Sequence, residues 1–263
     1  MSLMLHALVQ AVRRRLAEQA DPAKAGPMQA YMKSTMPFRG VPGPAQKALW
    51  KELLDTHTLA SRREWTQVVR QLWQTAQFRE ERYAAVALVS HRSYLGYRTA
   101  EALPLLDEMI VTGAWWDFVD ALATHPLADV LKAETTRGRG RAIRRRLEGW
   151  ARGSDLWKRR AAILCQIGAG AEIDAEFLYR CIGPNLLDAE PSRQRDLRDD
   201  FFIRKAIGWA LRQYARVAPD DVRRYVRANQ TRLSPLSRRE ALKALQPRAL
   251  AFSKTSSFRL PAR

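Results

Sequence analysis

The chain has 263 residues, 46% of them hydrophobic, enough to bury a core and to exclude a disordered polymer. Forty-five Lys and Arg stand against 27 Asp and Glu, a net charge of +18 that points to a polyanionic partner, nucleic acid ahead of an anionic membrane surface. Two cysteines, Cys165 and Cys181, exclude a disulfide framework and a zinc motif, and no run approaches the roughly 18 apolar residues of a membrane span.

The opening MSLMLHALVQAVRRRLAEQ reads as an amphipathic helix and not as a signal peptide. No basic residues precede its apolar positions, His6 and Gln10 interrupt them, and Arg13–Arg15 follow. A reducing, cytoplasmic setting is expected, nucleoid-associated in a bacterium. Helix signals then recur along the chain. SRRE at Ser61–Glu64 and again at Ser237–Glu240 has the capping-box pattern. Ser154, ahead of DLWKRRAAILCQI, and Asp199–Asp200, ahead of FFIRKAIGWAL, are expected N-caps. From Ala218, APDDVRRYV opens a helix with proline in the first turn and acids behind it.

No period-2 strand and no Asn-Gly or Asp-Gly turn is found, so the chain is expected to be all-α, with about a dozen helices. Aromatic-led helices near Tyr83, Trp116, Trp157 and Phe202 recur at intervals of 33, 41 and 45 residues, the length of a helical hairpin in HEAT or armadillo arrays. The expectation is one HEAT-like α-solenoid over 1–246 with a basic concave groove able to cradle a duplex. Two segments stand apart: residues 137–160, with ten basic residues and two acids, and the basic tail 247–263, which lacks helical periodicity and is expected to be mobile.

Three helices carry something on the wrong face, taking about 100° per residue. In WWDFVDAL, Trp115, Phe118, Val119 and Leu122 form the expected core arc. Trp116 and Asp120 lie together off it, four residues apart, while Asp117 points elsewhere, nearer solvent. In LWKRRAAILCQI, Arg160 falls near the middle of the apolar arc. It therefore requires an anion, either a carboxylate such as Asp120 or a phosphate. In FFIRKAIGWALRQY, Trp209 sits between Lys205 and Arg212, away from the apolar stripe. Either it joins a nucleic-acid surface or another helix covers it.

The segments WWDFVD, LWKRRAAILCQ and FFIRKAIGWALRQYA, with YMKSTMPFRGV at 31–41 and LSPLSRREALKAL at 233–245, together resemble the HEAT-repeat alkylpurine DNA glycosylases, the AlkD family. The resemblance runs from about residue 30 to 245. It departs at Met36, where an aromatic is expected, in the longer and more basic stretch before Trp157, and in the loop 186–200, which reads as an insertion. It places the site on Trp116, Asp120, Arg160 and Trp209, the four residues that helical periodicity singles out.

The chemistry the resemblance implies is excision of cationic alkylated purines, of the 7-methylguanine or 3-methyladenine type, from double-stranded DNA. Ordinary glycoside hydrolysis needs two carboxyl groups. A purine alkylated at N3 or N7 already carries the positive charge of a good leaving group, so one carboxylate suffices. Asp120 is expected to stabilise the oxocarbenium-like transition state and to position water. Trp116 and Trp209 are expected to pack on deoxyribose and backbone, and Arg160 to hold a phosphate. The backbone is contacted without a base-specific pocket, unlike base-flipping enzymes. Lys158, Arg159, Lys205 and Arg212 are expected phosphate contacts. No metal, cofactor, membrane or obligate protein partner is expected: His6, His57, His91 and His125 are scattered, and RGRGRAIRRR lacks the GK[ST] of a P-loop. The competing readings are a non-catalytic HEAT-repeat DNA-binding protein and a scaffold whose groove holds an acidic peptide.

Overall fold

A computed structural model describes residues 6–187 and 197–245, with side chains described for all of these except 197–200. The tail 247–263 and most of the loop 186–200 lie outside the described residues. Fourteen α-helices and no strands occur among those described. They are α1 (Ala7–Glu18), α2 (Pro22–Met32), α3 (Gly43–Thr56), α4 (Arg62–Gln74), α5 (Arg79–Ser90), α6 (Leu103–Gly113) and α7 (Trp116–Leu122). Then come α8 (Ala128–Thr136), α9 (Gly140–Arg152), α10 (Leu156–Leu164), α11 (Ala175–Ile182), α12 (Leu197–Tyr214), α13 (Pro219–Ala228) and α14 (Pro235–Leu242).

Apart from α2 and α8, successive helices alternate between two layers. One layer runs α3, α5, α7, α10, α12, α14, each packed on the next. The other contains α1, α4 and α6, then α9, α11 and α13, with Tyr179 of α11 stacked on Tyr225 of α13 at 3.9 Å. Pairs such as α4 with α5, α6 with α7 and α9 with α10 join the layers. Buried apolar residues from Leu8 to Ala241 form one continuous core. This is an all-α helical-repeat fold. The aromatic-led helices spaced along the sequence are α5, α7, α10 and α12, consecutive members of one layer.

Local chemistry sets the boundaries. Ser61 Oγ accepts the Glu64 amide at 3.2 Å, capping α4 as expected, and the Glu64 carboxylate accepts the Ala60 amide at 2.6 Å. Pro219 begins α13 with Asp220 and Asp221 behind it. Three expected caps are corrected. Asp155, not Ser154, caps α10, its carboxylate accepting the Lys158 amide at 2.8 Å. Ser234 caps α14, which puts the second SRRE inside the helix and leaves Glu240 for another task. Helix α12 begins at Leu197, ahead of Asp199–Asp200.

Two features hold the site layer together. Gly208 lets α14 close on α12: a Cβ there would lie 2.5 Å from Glu240 Cβ and 3.0 Å from the Ser237 carbonyl. At the other end, buried Glu80 of α5 accepts the Arg39, Gly40 and Val41 amides at 3.0, 2.9 and 3.3 Å, fixing the turn that ends YMKSTMPFRGV. Only glycine fits at 40, where φ is 84° and a Cβ would lie 2.0 Å from the Asp21 carbonyl.

Candidate active site

Helix α7 starts where Trp115 turns extended, so Trp115 is the N-cap residue and not part of a buried arc as expected. Its ring is half-buried and packs against Trp157 of α10 and Phe202 of α12, with centroids 6.1 and 5.6 Å away; Trp157 and Phe202 are 5.1 Å apart. This aromatic cluster pins the starts of α7 and α10 to α12. Phe118, Val119 and Leu122 are fully buried behind it. Trp116 and Asp120, one turn apart, are left half-buried on the other side of the helix. Beyond Leu122 the helix continues into α8 through a π-helical turn, Ala123–Leu127, containing Pro126. Proline cannot supply the amide that a regular α-turn requires there.

Arg160 of α10 meets Asp120 through a fork. Its Nε donates to Oδ1 at 2.6 Å and its Nη2 to Oδ2 at 2.8 Å, while Nη1 donates to the Phe202 carbonyl of α12. The side chains are 5% and 17% exposed. Of the five N–H donors of a guanidinium, three are used, so a phosphate would meet only the remaining two. Burial pushes the Asp120 carboxyl above its ordinary value of 3.8; the Arg160 hydrogen bonds and charge pull it back, and the nearby Asp117 charge pushes it up further.

Asp117 corrects a second expectation. It is not turned to solvent: Arg79 Nη2 of α5 donates to its Oδ1 at 2.7 Å, and the Tyr83 hydroxyl donates to its Oδ2 at 2.6 Å. Arg79 also lies 4.2 Å over the Phe118 ring. Burial first, and then the Asp117 charge, raise the Tyr83 pKa, so it remains a donor. Neither Arg79 nor Tyr83 is among the expected site residues, Tyr83 being marked in the sequence only as the aromatic of a recurring helix. Their one signal is a spacing of four on α5, which puts them on one face.

Trp209 of α12 is half-buried against the core, intermediate between the exposed and the covered expectation. Its basic neighbours are not free. Lys205 Nζ and Arg212 Nη1 reach the two oxygens of buried Glu240 of α14 at 3.0 and 2.8 Å, and Lys243 shares that carboxylate. Each of the four expected phosphate contacts has a partner within the protein. Lys205 and Arg212 are paired with Glu240. Lys158 is paired with Asp107 at 2.9 Å. Arg159 is buried, its Nη1 donating to Asn185 Oδ1 at 3.4 Å.

Among the described residues, no group of three or more His, Cys, Asp or Glu is arranged to hold a metal ion, and no helix is long and apolar enough to cross a membrane. Cys165 and Cys181 are free and buried, and burial pushes the Cys165 thiol up to about 12, where it is not a nucleophile.

Two layers of helices, with a forked Arg–Asp pair and two tryptophans on one layer, define a helical-repeat protein. The profile of a family described as DNA alkylation repair enzyme matches residues 12–245, and the chain belongs to that family. Among solved structures it is similar to a "Predicted DNA alkylation repair enzyme from Enterococcus faecalis", with 28% identity, a TM-score of 0.71, and coverage of 86% of this chain and 97% of that one. No curated protein matches the sequence significantly.

Proposed function

We propose that this protein is a DNA glycosylase that hydrolyses the N-glycosidic bond of cationic alkylated purines, of the 7-methylguanine or 3-methyladenine type, in duplex DNA. The observation that carries the reading is the Asp120–Arg160 pair, with Trp116 one turn from Asp120 and Trp209 on the next helix of the same layer. An ionised carboxylate offers about four lone-pair sites, and Arg160 takes two. The others serve a water and the positive charge growing on the sugar. Arg160 acts on Asp120 first, orienting it and keeping it ionised against the cost of burial.

A two-carboxyl route would call for a general acid. Asp117, the neighbouring carboxylate on α7, is committed to Arg79 and Tyr83. A lesion that is already cationic needs no such acid, since its base departs neutral. Trp116 and Trp209 would pack on deoxyribose and backbone, where their π faces favour a cation.

The test is base release from duplex DNA containing 7-methylguanine, comparing wild type with Asp120→Asn and measuring DNA affinity alongside. Release by wild type alone, with affinity kept, supports the reading. Release by neither, with salt-sensitive binding by both, supports a non-catalytic DNA-binding protein. Equal release by both keeps the enzyme and discards the role of Asp120.

A further inference from the structure

The unpaired charge of residues 137–160 is not at the candidate active site. Of the ten basic residues in 137–160, Arg137 and Arg139 pair with Glu134, Arg144 with Asp174, Arg152 with Glu148, Lys158 with Asp107 and Arg160 with Asp120, and Arg159 is buried beside Asn185. Among the described residues, Arg141, Arg145 and Arg146 have no hydrogen-bond or ion-pair partner, and all three are exposed on α9. Helix α9 belongs to the layer opposite the one that carries Trp116, Asp120, Arg160 and Trp209.

There α9 and α11 enclose a cavity of about 340 Å³ lined by Arg141, Arg144, Arg145, Glu148, Asp174 and Arg180. Both carboxylates are already engaged. Asp174 caps α11, accepting the Phe177 amide at 3.0 Å, and holds Arg144 at 3.0 Å. Glu148 holds Arg180 at 2.7 Å and Arg152 at 3.6 Å. They fix Arg144 and Arg180 as walls and leave a surplus of two positive charges, on Arg141 and Arg145, one helical turn apart. Planar guanidinium forks on one face of a cavity match the oxygens of a phosphate. We infer that this cavity is a second anion site, on the face opposite the candidate active site, that binds the phosphate backbone of a second DNA duplex. The chain would then hold two DNA segments at once. The inference does not depend on base excision.

The experiment mixes donor- and acceptor-labelled short undamaged duplexes with the full chain and reads energy transfer between them. The partner sample is the double variant Arg141→Ala with Arg145→Ala, two exposed positions whose loss leaves the unfolding midpoint unchanged. The expected result is energy transfer with wild type and none with the double variant, which still binds one duplex with wild-type affinity. The slope of log K against log salt for the second duplex should reflect about two phosphate contacts through these arginines. No transfer with wild type, or equal transfer with the variant, overturns the inference. A titration with inorganic phosphate, followed on the arginine Nε resonances, separates the two sources of a phosphate group. Shifts at Arg141 and Arg145 without any transfer between duplexes would assign the cavity to a free phosphate ester and overturn its assignment to DNA.

Discussion

Arg160 and Asp120, forty residues apart, meet through both oxygens of the carboxylate at 2.6 and 2.8 Å. The pair fastens α10 to α7, and the Phe202 carbonyl ties the same guanidinium to α12. Replacing the fork with a point charge separates its two tasks. Arg160→Lys keeps the charge and loses the bidentate geometry, so stability should fall by about 2–3 kcal/mol in urea unfolding. Asp120 is already held above its ordinary pKa by burial, and a weaker partner raises it further. In the proposed mechanism base release uses the ionised form, so its acid limb should move to higher pH. A limb that stays in place would mean that another group sets it.

Asp117→Asn tests the tether on the other side of α7. It leaves buried Arg79 without its anionic partner, at a cost of about 3 kcal/mol. Removing the Asp117 charge also removes one of the influences that raise the Asp120 pKa, so the acid limb of base release should move to lower pH, opposite to Arg160→Lys. Measuring both profiles on one substrate separates positioning from simple loss of fold.

The Glu240 cluster gives a pH dependence of stability. Lys243 first, with Lys205, holds this carboxyl at about 2, below its ordinary 4.5. A depressed carboxyl contributes stability that is complete above 4.5 and lost as pH falls toward 2. Asp120 has the opposite sign: with its pKa raised, its contribution is complete below 3.8 and is lost as pH rises through the folded-state value. Acid unfolding followed by tryptophan fluorescence should be flatter between pH 4.5 and 2 in Glu240→Gln than in wild type. Parallel curves would remove Glu240 from the account.

Gly208→Ala adds one methyl group where α12 and α14 touch. Its Cβ would fall 2.5 Å from Glu240 Cβ, so α14 must shift. The expected cost is about 2 kcal/mol, seen as a lower midpoint with an unchanged denaturant slope. Stability equal to wild type would show that α14 yields freely.

Much of this was legible because it lies within one helix. The spacing of Trp116 and Asp120 is a property of α7 alone, and the cap at Ser61 is a property of α4 alone. The charge of Arg160 in an apolar arc announced a need for an anion, but only the packing of α10 on α7 decides between carboxylate and phosphate. Asp117 shows where the reading stops. Its angle on α7 suggested solvent, yet Arg79 and Tyr83 come from α5, 38 and 34 residues earlier, and periodicity carries no information about what a neighbouring helix presents. Lys205 and Arg212 look like a free basic face in the sequence for the same reason. Their partner Glu240 has the position of a capping-box residue in the sequence, which Ser234 pre-empts by starting α14 earlier.

The alternation of helices between two layers also bears on how the molecule comes apart. In a stacked array each unit is stabilised by its neighbours, so local opening begins at the ends. Trp116, Asp120, Arg160 and Trp209 sit on three consecutive members of one layer, with α3 and α5 on one side and α14 on the other. Fraying of α1 or α13 leaves that trio in register. The Arg79–Asp117 bond, with Tyr83 and the packing of both side chains on Phe118, ties this trio to the first helices, so opening at that end is felt at the start of α7.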